Sequence, residues 1–227
     1  MRKYFFCFFT AIFTLTLSAH PHMWFTSEFE FVFSDNTVEG VKVIWTFDKF
    51  FSADIISGYD RNHDGIFSES EITDVFNNAF TYTQNYYYFT FIRVGKNRFS
   101  PKYIARENFS AHQKNNVLSY EFYIRLNGLS IDSISIACYD YTFFCDIRYP
   151  ENCVRFLGTA QKPKYKILEN KNTPIYYNPF GPIDDMRIYN EWAPGLNTYY
   201  PKEIMFCQDA HANYEVMPNK PERVRNE

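Results

Sequence analysis

Residues 60–71, which read DRNHDGIFSESE, constrain the fold of this chain more than any other segment. Side-chain oxygens stand at its first, third, fifth, ninth and twelfth places, and the seventh place offers a backbone carbonyl. This is the ligand spacing of an EF-hand calcium loop, and glycine occupies the sixth place, where such a loop turns sharply. The loop requires a helix on each side, so the segment predicts a helix–loop–helix unit.

The spacing assigns a role to each residue of the predicted loop. The predicted calcium ligands are Asp60, Asn62 and Asp64 through side chains, Ile66 through its carbonyl, Ser68 through water and Glu71 as a bidentate carboxylate. Phe67 is expected to point into the core and His63 into solvent. Two structural alternatives stay open, because Ser68 and Glu71 fit a capping box and NHDG fits a turn. Few charged ligands and the lack of a second such loop in the sequence predict a weak, structural site, with a Kd of ~10⁻⁴ to 10⁻³ M.

Strand-like patterns surround this unit. FTSEFEFVFSD and VKVIWTF alternate apolar and polar residues and predict a hairpin, and aromatic residues, 21% of the chain, favour strands. Helical spacing follows in DKFFSADIISGY and SEITDVFNNAFTYTQNY. Strands are then predicted to continue to about residue 159, with a hairpin turn at Asn127-Gly128. The predicted fold class is α+β: a mainly antiparallel β-sandwich with an EF-hand-like insert at about residues 48–86, after the first hairpin.

The two ends of the chain differ from this β-rich domain at residues 20–159. Arg2 and Lys3 precede an apolar run too short to span a bilayer comfortably, which predicts a signal peptide at residues 1–19 rather than an uncleaved anchor. We therefore expect an exported, periplasmic protein with no membrane span after cleavage. Its loss of Arg2 and Lys3 takes the formal net charge from −3 to −5, and no basic stripe predicts a nucleic-acid partner. Residues 160–227 form a Pro/Tyr/Asn-rich C-terminal extension.

Four cysteines remain after the predicted cleavage. Cys138, Cys145, Cys153 and Cys207 are even in number in an exported chain, which predicts one or two disulfides. Four cysteines allow three complete pairings, and the sequence does not choose among them. No CxxC pair occurs, which disfavours a zinc ribbon or a thioredoxin-like site.

The predicted mature chain begins His20-Pro21-His22. Residues two apart in an extended segment share a face, so two imidazoles and the α-amino group would bind one nickel, cobalt, zinc or copper ion. The alternative is that the segment is only the polar start of a strand. His112, His211 and Asp140 are further ligand candidates by residue type alone.

Several stretches carry a resemblance: HPHMWF, VIWTFDKFFSADII, the acidic loop, YYYFTFIRV and YDYTFFCDIRY. On these, over roughly residues 20–150, the chain resembles the DUF1007 family of exported bacterial proteins. Tyr141 stands where family members commonly have proline. The resemblance implies a periplasmic accessory of nickel/cobalt-type transport, with an inner-membrane metal permease as partner.

We therefore expect a non-enzymatic, exported calcium-binding protein that assists transition-metal transport. Two alternatives stay open. One is a calcium-stabilised scaffold or adhesion module without a transition metal, and the other is a copper-dependent oxidative enzyme that uses an N-terminal histidine. No GxSxG or HExxH motif indicates hydrolytic chemistry.

Overall fold

A computed structural model describes residues 21–95, 97–160, 163–182 and 187–206 and has an α+β fold. The predicted signal peptide, His20, Cys207 and His211 lie outside these residues. Within them the chain forms two large sheets and one small one. The strands are β1 Met23–Ser34, β2 Thr37–Phe47, β3 Thr90–Val94, β4 Asn97–Phe99, β5 Phe109–Lys114, β6 Val117–Leu129, β7 Ile134–Cys138, β8 Cys145–Arg148, β9 Val154–Leu157, β10 Tyr165–Glu169, β11 Ile175–Tyr177, β12 Asn197–Tyr199 and β13 Lys202–Phe206.

The first sheet has the order β5-β6-β2-β1-β8, with β9 also paired to β1. Alternate residues of β1 are buried, as the sequence pattern predicts, and they place Phe25, Phe29 and Phe31 in the core. The β1–β2 hairpin turns at Asp35 and Asn36, both with positive φ. The sheet is mixed rather than purely antiparallel, because β8 and β9 run parallel to β1.

The second sheet is antiparallel, with the order β10-β13-β7-β3-β4. Its inner face packs on the first sheet: the rings of Phe31 and Phe206 lie 4.9 Å apart, and Ser27 Oγ donates to Cys138 Sγ at 3.3 Å. The predicted C-terminal extension therefore contributes to the body of the fold up to Phe206, since β13 lies between β10 and β7.

Three helices follow the first hairpin: α1 Lys49–Tyr59, α2 Glu69–Asn78 and the 3₁₀ helix Phe80–Phe89. Asp48 caps α1 by accepting from the amides of Phe50 and Phe51. The helices pack against the β5–β6 end of the first sheet through Phe80, whose ring lies 4.3 Å from that of Phe109. No helix in the described ranges is long and apolar enough to cross a bilayer.

The predicted hairpin at Asn127-Gly128 is wrong. Both residues have positive φ, but they lie inside β6, which continues to Leu129 in its pairing with β2. The register there steps from Gly40–Arg125 to Val38–Leu129. Asn127 and Gly128 therefore form a bulge, and the chain crosses to the second sheet only afterwards.

The predicted disulfides are also wrong for the described cysteines, because Cys138, Cys145 and Cys153 are free, buried thiols. Each has its own packing environment. Cys138 lies against Ser27 and Thr90, the amide of Cys145 donates to Asp140, and the carbonyl of Cys153 accepts from the amide of Phe29. Burial raises the pKa of the Cys138 and Cys145 thiols and raises that of Cys153 to about 11. These thiols therefore stay protonated at neutral pH and are poor nucleophiles.

Candidate metal centre

The acidic segment joins α1 to α2, so the predicted ligands lie between two helices. Its first and last ligand positions are buried: Asp60 is 3% exposed and Glu71 5% exposed. Asn62, Asp64, Ile66 and Ser68 lie between them and are exposed. Phe67 is buried and His63 is exposed, as the spacing predicts. The segment therefore has a buried base made of two carboxylates and a solvent-facing rim.

Asp60 presents two different carboxylate oxygens. Oδ2 accepts from the amide of Gly65 at 3.2 Å and from Nε2 of Gln113 at 2.7 Å. Oδ1 is buried and has no hydrogen-bond partner among the described residues. A buried carboxylate oxygen without a partner is costly, because neither water nor a donor offsets its lost hydration. Oδ1 is thus an acceptor whose buried position calls for a partner.

Glu71 accepts hydrogen bonds on both oxygens. Oε1 accepts from the amide of Arg61 at 2.8 Å, and Oε2 accepts from the amide and the hydroxyl of Ser68 at 2.8 and 2.7 Å. The capping box at the start of α2 is present, so that structural alternative is confirmed. The capping box leaves Glu71 able to bind a cation. Oε1 has a lone pair that its one hydrogen bond does not use, and Oε2 gains one when the Ser68 hydroxyl turns away.

The exposed middle of the segment is held by bonds among its own residues. Asp64 Oδ1 accepts from the amide of Ile66 at 2.9 Å, and Asp64 Oδ2 accepts from Nδ2 of Asn62 at 2.8 Å. Gly65 has a φ of +82°, a left-handed conformation that glycine adopts without strain. Gly65 thus provides the sharp turn that an oxygen-lined loop requires.

These residues carry the oxygen atoms that calcium binds, but the structure does not bring their carboxylates together as a metal site. No three His, Cys, Asp or Glu side chains of the described part of the chain are gathered as metal ligands, and both oxygens of Asp64 and Glu71 are engaged within the loop. Calcium accepts six to eight oxygens in flexible geometry, including amide, hydroxyl and carbonyl oxygens. Asp60 Oδ1 offers an oxygen without a hydrogen bond among the described residues, and the carboxylates of Asp64 and Glu71 would have to leave present hydrogen bonds to act as ligands.

Glu71 makes the calcium-free protein sensitive to acid. The amide of Ser68, its hydroxyl and the amide of Arg61 lower the pKa of Glu71 below its usual value. The ionised carboxylate therefore stabilises the fold at neutral pH, and this stabilisation is lost as the pH falls through the lowered pKa. In calcium-free buffer, Glu71→Gln should unfold at a lower temperature than wild type at neutral pH, and the difference should close as the pH falls through the lowered pKa of Glu71. The exposed Glu107→Gln is the matched control, and a difference that stays constant with pH would contradict the prediction.

The predicted histidine site is described only in part. His22 precedes β1, where its amide donates to the carbonyl of Phe144 at 2.8 Å and its ring lies 5.1 Å from the Phe144 ring. Asp140 is engaged by the amide and hydroxyl of Thr142 and the amide of Cys145. His112 lies on β5, three strands from β1, and its register across β6 and β2 leads to Thr26 rather than to His22, so the two histidines lie farther apart than the three strand spacings of about 14 Å. His112 is therefore remote from His22, whereas Asp140 accepts from the amide of Cys145, next to the Phe144 carbonyl that accepts from His22, and stays a ligand candidate.

Two further residues hold the helix–loop–helix unit to the first sheet, and no sequence pattern indicates either of them. Gln113 of β5 bonds to Asp60, and Arg106 donates to Thr73 Oγ1 at 3.1 Å and to Glu69 Oε2 at 3.0 Å. Both lie more than thirty residues from their partners along the chain. The loop is therefore fixed to the sheet as well as to its own helices.

Comparison with protein-family models gives one match, to a protein family of unknown function, DUF1007, over residues 5–207. This chain belongs to the DUF1007 family. The match includes the helix–loop–helix unit and extends through β10–β13, beyond the residues that carried the resemblance. Comparisons with curated proteins and with solved structures give no match.

Proposed function

We propose that this DUF1007 protein is an exported calcium-binding protein whose ion lies between α1 and α2. The observation that carries the proposal is the buried Asp60 Oδ1, which lacks a hydrogen-bond partner among the described residues and stands at the first position of the ligand spacing. A segment that only caps a helix and forms a turn does not require a buried carboxylate oxygen without a partner. A bound cation offsets the free-energy cost of burying that oxygen. When bound, the ion supplies positive charge that draws these oxygens together.

The residues that would hold calcium divide into a buried and an exposed set. Asp60 and Glu71 supply buried carboxylates at the two ends, and the rim supplies Asn62, Asp64, the Ile66 carbonyl and Ser68. Three of these ligands carry negative charge, in an otherwise polar set. This composition supports a weak extracellular-type site with a Kd of ~10⁻⁴ to 10⁻³ M. Such a site suits structural stabilisation outside the cytosol.

The transport role extends this proposal. Family resemblance and the predicted start at His20 support a periplasmic accessory of a transition-metal permease, and His22 lies beside β8 at the end of the first sheet. The scaffold without a transition metal and the copper-dependent enzyme stay as alternatives. Which of the three applies depends on the metal content of the purified protein.

Native mass spectrometry and thermal unfolding of the purified protein test these proposals together. At calcium about 100-fold above Kd, one calcium ion per chain should add about 2.7 kcal/mol to the free energy of unfolding. Magnesium should add less, because it demands near-octahedral geometry and dehydrates reluctantly. No bound calcium at this concentration would contradict the proposal. A transition metal lost in the His20→Ala/His22→Ala variant supports the transport role, and its absence from wild type favours the scaffold.

A further inference from the structure

We propose that Gln113, which lies outside the loop, is a positioning residue for the calcium ion and couples ion binding to the edge strand β5. The inference rests on the proposed calcium function. It starts from the unequal environments of the two oxygens of Asp60. Oδ2 accepts two hydrogen bonds and Oδ1 accepts none within the described residues.

The bond from Gln113 fixes the plane of the Asp60 carboxylate and thereby the direction in which its other oxygen points. With the amide of Gly65 and Nε2 of Gln113 both donating to Oδ2, rotation of the carboxylate would break two hydrogen bonds inside a buried site. The shorter of the two, at 2.7 Å, comes from Gln113. Gly65 belongs to the loop and moves with it, whereas Gln113 belongs to the sheet. Gln113 therefore holds the Asp60 carboxylate in a fixed position relative to the first sheet, whatever the conformation of the loop.

The strand that carries Gln113 is itself attached to the helices. Gln113 pairs with Leu118 across the β5–β6 hairpin, and the amide of Leu118 donates to Ser52 Oγ of α1 at 3.0 Å. Ser52 and Leu118 are both fully buried. The hairpin thus contacts α1 at one point and the first calcium ligand at another. An ion that fixes Asp60 consequently fixes the end of β5, an edge strand of the first sheet.

The comparison of Gln113→Met with Gln84→Met separates positioning from general stability. Methionine keeps the approximate length of glutamine and removes the amide donor. Calcium affinity, measured by isothermal titration of the folded protein, should fall about 10-fold in Gln113→Met, as expected for loss of a partner that orients a ligand. Gln84 donates to the carbonyl of Lys102 at 2.8 Å, so Gln84→Met removes the same kind of bond elsewhere and should leave the affinity unchanged.

Hydrogen exchange of the wild-type protein gives a second readout that does not depend on the variant's folding. Calcium should slow amide exchange in residues 109–114, and Gln113→Met should lose this slowing. Unchanged affinity in a folded Gln113→Met, or no effect of calcium on β5 in wild type, would overturn the inference while the calcium function stands. Failure of wild type to bind calcium would overturn both.

Discussion

Asp60→Asn should remove most of the calcium-induced stabilisation. The substitution removes the charge of the buried ligand, and either an amide group or a neutral oxygen then faces the ion. We expect calcium affinity to fall more than about 100-fold, beyond the 10–100-fold cost of losing an outer partner such as Gln113. At a calcium concentration that adds about 2.7 kcal/mol to wild type, the variant should gain roughly 0.4 kcal/mol. Denaturant unfolding with and without calcium measures both gains.

Without calcium, Asp60→Asn should have the opposite effect on the free energy of unfolding. Without calcium, wild type carries a buried carboxylate oxygen with no partner among the described residues, and Asp60→Asn removes that buried charge. The calcium-free variant should therefore be at least as stable as calcium-free wild type. Asp54→Asn, an equal loss of charge at an exposed position of α1, is the control and should retain the full gain from calcium. Equal gains in both variants would show that Asp60 is not a ligand.

Sequence patterns predicted those structural features that depend only on neighbouring residues in the chain. Alternation in residues 25–35 predicted β1, because one face of that strand packs against the second sheet and the other does not. The burial of Phe67 followed from loop spacing, since its neighbours Ile66 and Ser68 turn outward. In both cases a few consecutive residues contain the whole signal.

Features set by distant partners could not be predicted in this way. The bulge at Asn127-Gly128 shares its positive φ values with a hairpin turn, and only the continued pairing of Leu129 with Val38 distinguishes the two. Strand β13 lacks alternation because both of its faces are buried from Glu203 to Phe206. The parallel pairing of β8 and β9 with β1 likewise depends on crossovers that leave no local pattern.

The candidate site also combines features set by local sequence with features set by distant partners. Its six predicted ligands share one twelve-residue spacing, so they were identifiable without a fold. The bond between Gln113 and Asp60 spans 53 residues, and a glutamine in a strand carries no signal for it. The free state of Cys138, Cys145 and Cys153 also depends on packing, because an even count of cysteines says nothing about which thiols face one another.

Phe80→Ala should cost the fold about 3–5 kcal/mol, the usual range for a fully buried phenylalanine. The side chain is 0% exposed, and its ring lies 4.3 Å from Phe109, 5.2 Å from Phe122 and 5.8 Å from Phe76. It therefore fills the junction of α2, β5 and β6, and truncation leaves a cavity that these three elements cannot all close. Urea unfolding in calcium-free buffer measures the loss.

Phe50→Ala is the matched control, because Phe50 is 89% exposed at the start of α1 and the substitution removes the same atoms. Its free energy of unfolding should stay within about 0.5 kcal/mol of wild type. The difference between the two variants isolates packing at the junction that fixes the acidic loop to the sheet. If Phe80→Ala lost no more stability than Phe50→Ala, α2 would not be packed on β5 in solution, and Gln113 would lack the rigid support that its contact with Asp60 requires.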